Sequence, residues 1–579
     1  AQVAAAGEPP PRTAARLALA RQDADGALHA LDALQPVRES DDEVLRLRGG
    51  IHLDAARQAR ERGDQAAAAR ALGQAGDALA AAVAIARSDP AAHRMRCRWA
   101  IESLRLATAR AERSVATPSA LDASCAAMHA ALPGDPSNAF IALEAREAIV
   151  AAHEARNELG DARAALATAI EEAGALLGLR SADADLLHLR ARLLRRQAGF
   201  DYDDFEKAQA DFDAALADLE RAEVLRPGDW VFGLARGRVL AERGRHRANF
   251  RASHDGDPMA DYRAAIAVLE QAVARRPQSV EARQRLSLVR FFTFYALRDP
   301  DPDAALAMAR AGIDVLEPAL VAQPDHPGLA FDQGANLGDV WLFRVVRSHA
   351  EAIDATLPDL RRALDLLARV RRLAPQRVDG YTQALALCAS AAERLRALGL
   401  SRETWLAQAR AILDDAATAR IAMDPAVAAW VWIEVAEQAL DASVSGARVA
   451  AALAEADAWL DRAEAGVDHR FGALRYRVQW ATAAARHARL QGRSPTSSLR
   501  EGDAAVAVAL GSERGHDDNI VLCEAGRLEL ERSRGLRGMA AAEAARRSIE
   551  RFDRCRARGT LYFDAHYAGA RDEALARIP

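Results

Sequence analysis

Two stretches decide the fold: LERAEVLRPGD at residues 219–229 and LEQAVARRPQS at residues 269–279. In each, apolar residues recur three or four positions apart and then meet a proline, which cannot continue a helix. The aspartate or serine that follows the proline is of a residue type that caps the start of a new helix. Each stretch therefore predicts an amphipathic helix that ends at a turn, with a second helix directly after it.

The same kind of turn recurs along the chain. It is found at Pro136, Ser181, Pro227, Pro277, Pro324, Pro375 and Pro425, at intervals of about 48 residues. A second break falls inside several intervals, for example at Gly160 and Gly399. Each period thus predicts two antiparallel helices, and the whole chain predicts a stack of about ten hairpins.

The composition agrees with a purely helical chain. Half of the 579 residues are hydrophobic but only 5% are aromatic, so alanine and leucine supply most of the apolar mass. Both are strong helix formers, whereas valine, isoleucine and threonine are too thinly spread for a sheet. We therefore expect an all-α fold.

A small–large–small triplet precedes most of these prolines by 12, 8 and 5 residues. Two examples are Ala215, Leu219 and Ala222 before Pro227, and Ala265, Leu269 and Ala272 before Pro277. This pattern resembles the second helix of a tetratricopeptide repeat (TPR), in which small residues allow neighbouring helices to approach closely. The resemblance implies a right-handed α-solenoid of antiparallel helix pairs. The period near 48 is about 14 residues longer than the usual repeat of ~34.

The quality of this resemblance suggests four regions. Residues 1–11 read as a flexible leader that ends in three prolines. Residues 12–119 are predicted to form degenerate N-terminal helical repeats, residues 120–425 the TPR-like repeats, and residues 426–579 degenerate C-terminal repeats.

Recognisable catalytic chemistry is missing from the sequence. Lys207 is the only lysine, and no phosphate-binding glycine loop precedes it, which argues against P-loop and kinase sites. The nearest zinc-protease motif begins at His153 but has Asn157 in place of the second histidine. Cys125 and His129 stand four apart on one predicted helix, where a buried thiol beside a rim histidine is favoured over a nucleophile. We expect no enzyme activity, no cofactor and no metal.

The five cysteines are far apart and never form a C-x-x-C motif. We therefore expect neither a disulfide framework nor a zinc ribbon, which suits a reducing compartment. Cytoplasmic localisation is favoured, and a periplasmic location is the alternative if a membrane segment lies upstream. No apolar run reaches the ~18 residues of a membrane span.

An aromatic run at Phe291, Phe292, Phe294 and Tyr295 points to a contact site, because one core stripe cannot bury all four side chains. The register implied by the TPR resemblance turns Glu281, Gln284, Leu288 and Phe291 toward the concave groove. Phe292 is the next candidate, and Arg283 and Arg290 are candidates for charge toward an acidic partner. A protein or peptide is the expected partner.

The favoured function is a non-catalytic interaction or sensor scaffold. Chains rich in alanine and arginine of this kind resemble regions of bacterial signalling proteins, including serine/threonine kinases. The alternatives are a ligand-sensing region of a transcription regulator and a helical enzyme or effector with an unrecognised site. A net charge of −5 argues against nucleic acid. The arginines between Arg236 and Arg251 are expected to pair with acidic residues, and the chain is expected to be a monomer.

Overall fold

The computed structural model of the chain describes residues 15, 24–32, 41–61, 64–109, 117–156, 158–250, 254, 256–348, 350–443, 445–465, 470–511, 519–558 and 560–578. Within these residues all regular structure is helical, which confirms the all-α prediction. The predicted leader, residues 1–11, lies outside the described residues, as does Arg251.

The chain divides into two compact units, Ala1–His326 (unit 1) and Pro327–Pro579 (unit 2). The helices of unit 1 are α1 (Ala24–Asp32), α2 (Asp42–Glu61), α3 (Gln65–Ile85), α4 (Pro90–Ala109), α5 (Pro118–Ala131), α6 (Pro136–Ala155), α7 (Leu159–Leu179), α8 (Ala184–Phe200), α9 (Phe205–Leu225), α10 (Trp230–Asn249), α11 (Pro258–Arg275), α12 (Val280–Leu297) and α13 (Pro302–Ala322).

Unit 2 continues the same pattern. Its helices are α14 (Pro327–Arg347), a 3-10 helix (Ala350–Ala355), α15 (Leu357–Leu373), α16 (Val378–Ala397), α17 (Glu403–Thr418), α18 (Pro425–Asp441), α19 (Gly446–Ala465), α20 (Arg470–Leu490), α21 (Thr496–Gly511), α22 (Asn519–Arg534), α23 (Gly538–Arg558), α24 (Thr560–His566) and α25 (Ala568–Ala576).

Consecutive helices pack as antiparallel pairs. Unit 1 has the pairs α2/α3 to α12/α13, and unit 2 has the pairs α14/α15 to α22/α23. We call the two members of each pair its first and second helix. The eleven first helices of the described residues begin between Asp42 and Asn519, which gives a spacing of about 48 residues and is consistent with the predicted period. The four sequence regions proposed above remain a prediction.

The turns between hairpins form as the sequence pattern predicts. The side chains of Asp135, Asp229 and Ser279 cap α6, α10 and α12 by accepting hydrogen bonds from backbone N–H groups of the first turn. Gly228, just before one of these caps, has a φ of 84°, a left-handed conformation that glycine adopts at no steric cost. Local chemistry thus fixes where each hairpin begins.

The predicted triplets lie in the core. Ala265, Leu269 and Ala272 on α11 are at most 2% exposed. Leu269 fits beside Gly237 of α10, where an added Cβ would lie 2.5 Å from the leucine Cγ. Alternating small and large residues therefore allow the two helices of a hairpin to approach each other closely.

The first helices of successive hairpins contact one another within each unit, from α2 to α12 in unit 1 and from α14 to α22 in unit 2. Second helices make no comparable contact with the next second helix in the described residues. The first helices therefore line one continuous side within each unit, which we call the first-helix face.

The cysteines depart from the expectation. Cys97 on α4 is bonded to Cys125 on α5, and Cys523 on α22 is bonded to Cys555 on α23. Each disulfide joins the two helices of one hairpin, so the prediction that disulfides are absent is wrong. Cys125 accordingly has no free thiol to pair with His129. Among the described helices, none combines the length and apolarity required to cross a bilayer.

Candidate binding site on the first helices

The best sequence candidate for the groove, Phe291, lies in the core instead. Its side chain is 2% exposed and its ring centroid is 5.7 Å from that of Phe294. The ring occupies the space left by Gly312 on α13, the small residue that opens the triplet there. The expected orientation of Phe291 is therefore wrong, because its rotation on α12 is set by the paired helix.

Phe292, the second candidate, is half-buried. Its ring lies 6.0 Å from that of Tyr262 on α11, and the guanidinium of Arg245 lies 5.6 Å from the ring centroid. The ring of Phe292 thus packs against residues of α10 and α11, and only part of its surface is open to a partner.

Exposed residues of α12 repeat every seven positions. Glu281, Leu288 and Tyr295 are exposed, the last two to 40% and 44%, and Gln284 is half-buried. Seven residues are nearly two helical turns, so these side chains share one side of α12. The structure leaves Glu281 and Leu288 accessible, while their role in partner binding stays a prediction.

The two candidate arginines of α12 hold helices together. Arg283 donates hydrogen bonds to the carbonyl oxygens of Pro277 and Val315, each at 2.8 Å. Arg290 donates to the carbonyl oxygen of Ala311 at 2.8 Å and to Glu270 at 2.7 Å. Both guanidiniums therefore join α12 to the adjacent helices, which limits the charge that they can present to a partner.

A ladder of ion pairs crosses the first-helix face of unit 1. Glu102 on α4 lies 3.3 Å from Arg57 on α2 and 2.9 Å from Arg105 on its own helix. Arg105 in turn reaches Glu147 on α6 at 3.4 Å, and Glu147 binds Arg192 on α8. Burial alone would raise the pKa of Glu147, but the charges of Arg192 and Arg105 lower it below its usual range. The ladder thus keeps buried carboxylates ionised.

Sequence reasoning missed this ladder. The partners on different helices are separated by 42 to 45 residues, close to one repeat period. The signal in the sequence is an arginine and a glutamate that stand about one repeat period apart. Such residues are neighbours because they occupy equivalent positions of successive first helices.

The same face of unit 1 contains a cavity of about 730 Å³. It lies at the C-terminal ends of α6 and α8, next to the start of α7 and the middle of α10. Its lining consists of Glu154, Leu159, Gly160, Arg163, Arg195, Arg196, Gly199, Phe200, Arg238 and Glu242. We call this space the arginine pocket.

Carboxylates compensate only part of the positive charge in the arginine pocket. Arg195 places one nitrogen 2.9 and 2.7 Å from the two oxygens of Glu242, and Nε of Arg238 donates to the same carboxylate at 3.0 Å. Arg196 binds Glu154 through Nη1. Burial lowers the pKa of Arg195 to about 10, and repulsion from Arg238 adds to the effect although Glu242 opposes it. Arg163 pairs with Asp201 at 3.6 Å, so the other three arginines share the two glutamates of the lining.

One surface cluster near this pocket has the residue types of a metal site. Ligand-type atoms of His153, Glu158 and Asp161 lie within 4.8 Å of one another. His153 Nδ1 is 2.6 Å from Glu158 Oε2, so a hydrogen bond already accounts for that proximity. Glu158 and Asp161 are exposed, and we assign no metal to this cluster.

In unit 2 the first-helix face is occupied by the C-terminal end of the chain. Arg394 on α16 donates to the carbonyl oxygen of Ala565 on α24, and the hydroxyl of Tyr567 donates to Glu524 on α22 at 2.5 Å. Nearby, burial opposes the ionisation of Glu437, but the charges of Arg396 and other arginines lower its pKa to about 2. Unit 2 thus fills with its own residues the side that carries the pocket in unit 1.

Comparison with known proteins finds similarity among solved structures only. No protein-family model matches the chain, and no curated protein matches it in sequence. Among solved structures it is similar to yeast Tom70, with 12% identity over 98% of this chain and 95% of that chain and a TM-score of 0.37.

Two further structures show the same level of similarity. Human IFIT1, solved with PPP-AAAA, is 12% identical over 88% of this chain and 94% of that chain, with a TM-score of 0.34. The TPR domain of P58(IPK) is 14% identical over 75% of this chain and 98% of that chain, with a TM-score of 0.19. These values are too low to transfer a ligand or partner. The stacked hairpins, small–large–small triplets and capped turns described above make this chain a TPR-like helical repeat protein.

Proposed function

We propose that this chain is a non-catalytic scaffold that binds a protein segment on the first-helix face of unit 1. The observation that carries the proposal is the arginine pocket, a cavity of about 730 Å³ on that face, whereas helix α24 covers the same face of unit 2. A concave, partly apolar cavity with a few convergent charged groups is the usual form of a binding site.

The charge distribution supports a protein partner rather than nucleic acid. Arginines from the basic window of α10 are already paired, Arg236 with Glu223 at 3.1 Å and Arg243 with Asp261 at 2.6 Å. Phosphate backbones are bound by clusters of cations whose charge is free to replace counterions. Paired arginines in a chain of net charge −5 offer little of this.

We place the scaffold in a bacterial signalling protein. The support is compositional: alanine and leucine supply the core, and 76 arginines stand against one lysine. The absence of recognisable catalytic motifs from the sequence, together with the bonded state of Cys125, supports a non-catalytic role.

A ligand-sensing region of a transcription regulator is the second candidate. The size of the arginine pocket favours it, because sites for small molecules typically enclose ~300–1,000 Å³. In that case a small molecule that fills the pocket, rather than a protein segment, is the ligand.

Selection of peptides from a random library against the full chain tests the proposal. Hydrogen–deuterium exchange of the complex should show protection of α6, α8, α10 and α12. Protection confined to second helices or to unit 2 would overturn the proposed surface, as would the absence of any peptide that binds more tightly than ~100 μM.

Two matched variants sharpen that test. Leu288 on α12 and Val321 on α13 are both exposed apolar residues, but only Leu288 belongs to a first helix. Leu288→Glu should weaken peptides that lie along α12, and Val321→Glu should leave binding unchanged. Equal effects of the two variants would indicate binding outside the first-helix face.

A further inference from the structure

We propose that the arginine pocket of unit 1 is a specificity site for an acidic peptide segment, which places aspartate or glutamate side chains against the guanidiniums and an apolar side chain beside Leu159 and Phe200. This inference rests on the proposed function, because it names what the partner segment must carry. Its first support is the charge balance of the lining: Arg195, Arg196 and Arg238 share two glutamates, while Arg163 pairs with Asp201.

The guanidiniums retain donors for a ligand. Nη1 of Arg196 binds Glu154, and the side chain of Arg196 is 22% exposed. A ligand oxygen that reaches Nη2 of Arg196 gains a charge-assisted bond, which is stronger than a neutral one. Arg238 binds Glu242 through Nε at 3.0 Å, and its side chain is 35% exposed. Its terminal nitrogens are thus placed to pair with an incoming carboxylate.

Arg195 supplies a further reason to expect an anion. Its side chain is 12% exposed, lines the pocket together with Arg196 and Arg238, and is acted on by the charges of both. Repulsion among these cations is relieved when negative charge enters the pocket, because opposite charges interact more strongly where water is excluded. The planar guanidinium also matches the two oxygens of a carboxylate in a bidentate arrangement.

The pocket also has an apolar and an open side. Leu159, at the start of α7, is 53% exposed, and the ring of Phe200 lies 5.8 Å from the guanidinium carbon of Arg163. Gly160 and Gly199 also line the space, and a Cβ at either position would meet no heavy atom within 4 Å. The opening thus has room for a backbone to pass and an apolar surface for a neighbouring side chain.

The size of the pocket favours a peptide over a single small anion. A volume of about 730 Å³ is many times the ~30 Å³ that one water molecule occupies in the liquid, and an isolated phosphate leaves most of it unfilled. The existing partners Glu154 and Glu242 show that the arginines accommodate carboxylates of the protein itself. An acidic segment extends that pairing to a second chain.

The experiment uses the full chain and two labelled probes: a twelve-residue peptide that alternates two glutamates with one leucine, and the same peptide with glutamine in place of glutamate. Fluorescence polarisation at low salt should show binding of the glutamate peptide at least about 10-fold tighter than the glutamine peptide. Inorganic pyrophosphate is the competing small-anion probe. Equal binding of both peptides, or binding of pyrophosphate without binding of the glutamate peptide, overturns the proposal.

Three variants assign the binding to this pocket. Arg196→Gln and Arg238→Gln should each weaken the glutamate peptide by about 10-fold, the effect of losing a charge-assisted bond. Arg263→Gln is the control, because Arg263 is 71% exposed on α11 and outside the pocket but carries the same charge. A loss of affinity that is equal in all three variants indicates general electrostatic attraction and overturns the assignment.

Gly199→Glu keeps the proposal testable if an arginine variant fails to fold. The open space at Gly199 accepts a side chain, and a carboxylate there would occupy the pocket from within. This variant should block the glutamate peptide and leave the folded chain intact. A different result would separate the two proposals. If peptides from the random library protect the first-helix face but bind all of these variants equally well, the proposed function holds and only the acidic specificity is refuted.

Discussion

The ring of Phe291 packs directly against Gly312, so closely that a Cβ at position 312 would lie 2.9 Å from Cε2 of the ring. The two residues belong to the paired helices α12 and α13. This contact turns the aromatic run at residues 291–295 so that Phe291 and Phe294 enter the core and Tyr295 faces outward.

We predict that Phe291→Ala is a stability variant. Truncating a buried phenylalanine costs about 3–5 kcal/mol, because the cavity left behind is only partly refilled. Tyr295→Ala, at an exposed position of the same helix, should cost less than about 1 kcal/mol. Urea denaturation compares the two. Equal, small losses of unfolding free energy would contradict the packing against Gly312.

Leu269→Ala should be strongly destabilising, by about 2–5 kcal/mol. Leu269 is fully buried and fills the space beside Gly237. The control is Arg263→Ala six residues earlier on α11, which removes an exposed side chain and should stay within ~0.5 kcal/mol of the parent chain. Similar midpoints of chemical denaturation for both variants would mean that the assigned register of α11 is incorrect.

The two disulfides should make stability dependent on reduction. Closing loops of the observed separations, 28 and 32 residues, stabilises a fold by about 3–4 kcal/mol each in the chain-entropy model. Thiol titration of the denatured chain should find one reactive thiol, that of Cys388, and five after reduction. Five thiols in protein that has never met a reductant would contradict the pairing. Disulfides persist in oxidising compartments, so the two bonds do not suit the reducing compartment expected from the cysteine spacing.

Stability should fall in mild acid because of His188. Burial lowers the pKa of His188 to about 4, and the charge of Arg192 adds to the effect. Between pH 6.5 and about 4, His188 is therefore protonated in the unfolded chain but neutral in the folded chain. As the pH drops across that window, the unfolding free energy falls by about 1.4 kcal/mol per pH unit. Above pH 6.5 this contribution is constant.

His188→Gln tests the assignment. The unfolding free energy of the variant should depend less steeply on pH between pH 5 and 6.5, by the slope that corresponds to one bound proton. The measurement compares this slope in the variant and in the parent chain. An unchanged slope would show that His188 is protonated in the fold. Glutamine keeps a polar side chain at the edge of Phe232, whose ring lies 5.6 Å from that of His188, so packing is disturbed little.

The sequence predicts the fold well because the fold is specified locally. Capping residues such as Asp229 mark where helices start, and buried leucines such as Leu269 repeat with the period. Orientation within a helix is less predictable, because the rotation of α12 depends on Gly312, which stands on another helix. The bonded pair Cys97 and Cys125 is hidden for the same reason: the two are neighbours only once α4 and α5 fold back on each other.

The candidate site shows the same limit. Glu281 and Leu288 were identified from the register of the repeat, and both are accessible. The arginine pocket was not predicted, because its lining comes from α6, α7, α8 and α10. Residues of the pocket such as Arg196 and Arg238 come together only when equivalent positions of successive first helices become neighbours in the fold.

The ion-pair ladder has a mechanical consequence. In unit 1 the bonds between Glu102, Glu147 and their arginines join one hairpin to the next along the first-helix face, and second helices lack comparable mutual contacts. Bending that spreads the second helices apart leaves these bonds intact, whereas stretching the first-helix side breaks them in turn. Unit 1 should therefore bend easily along the edge of its second helices and resist stretching along the edge that carries the pocket. Because the carboxylates of the ladder are buried, salt should weaken this resistance only slightly.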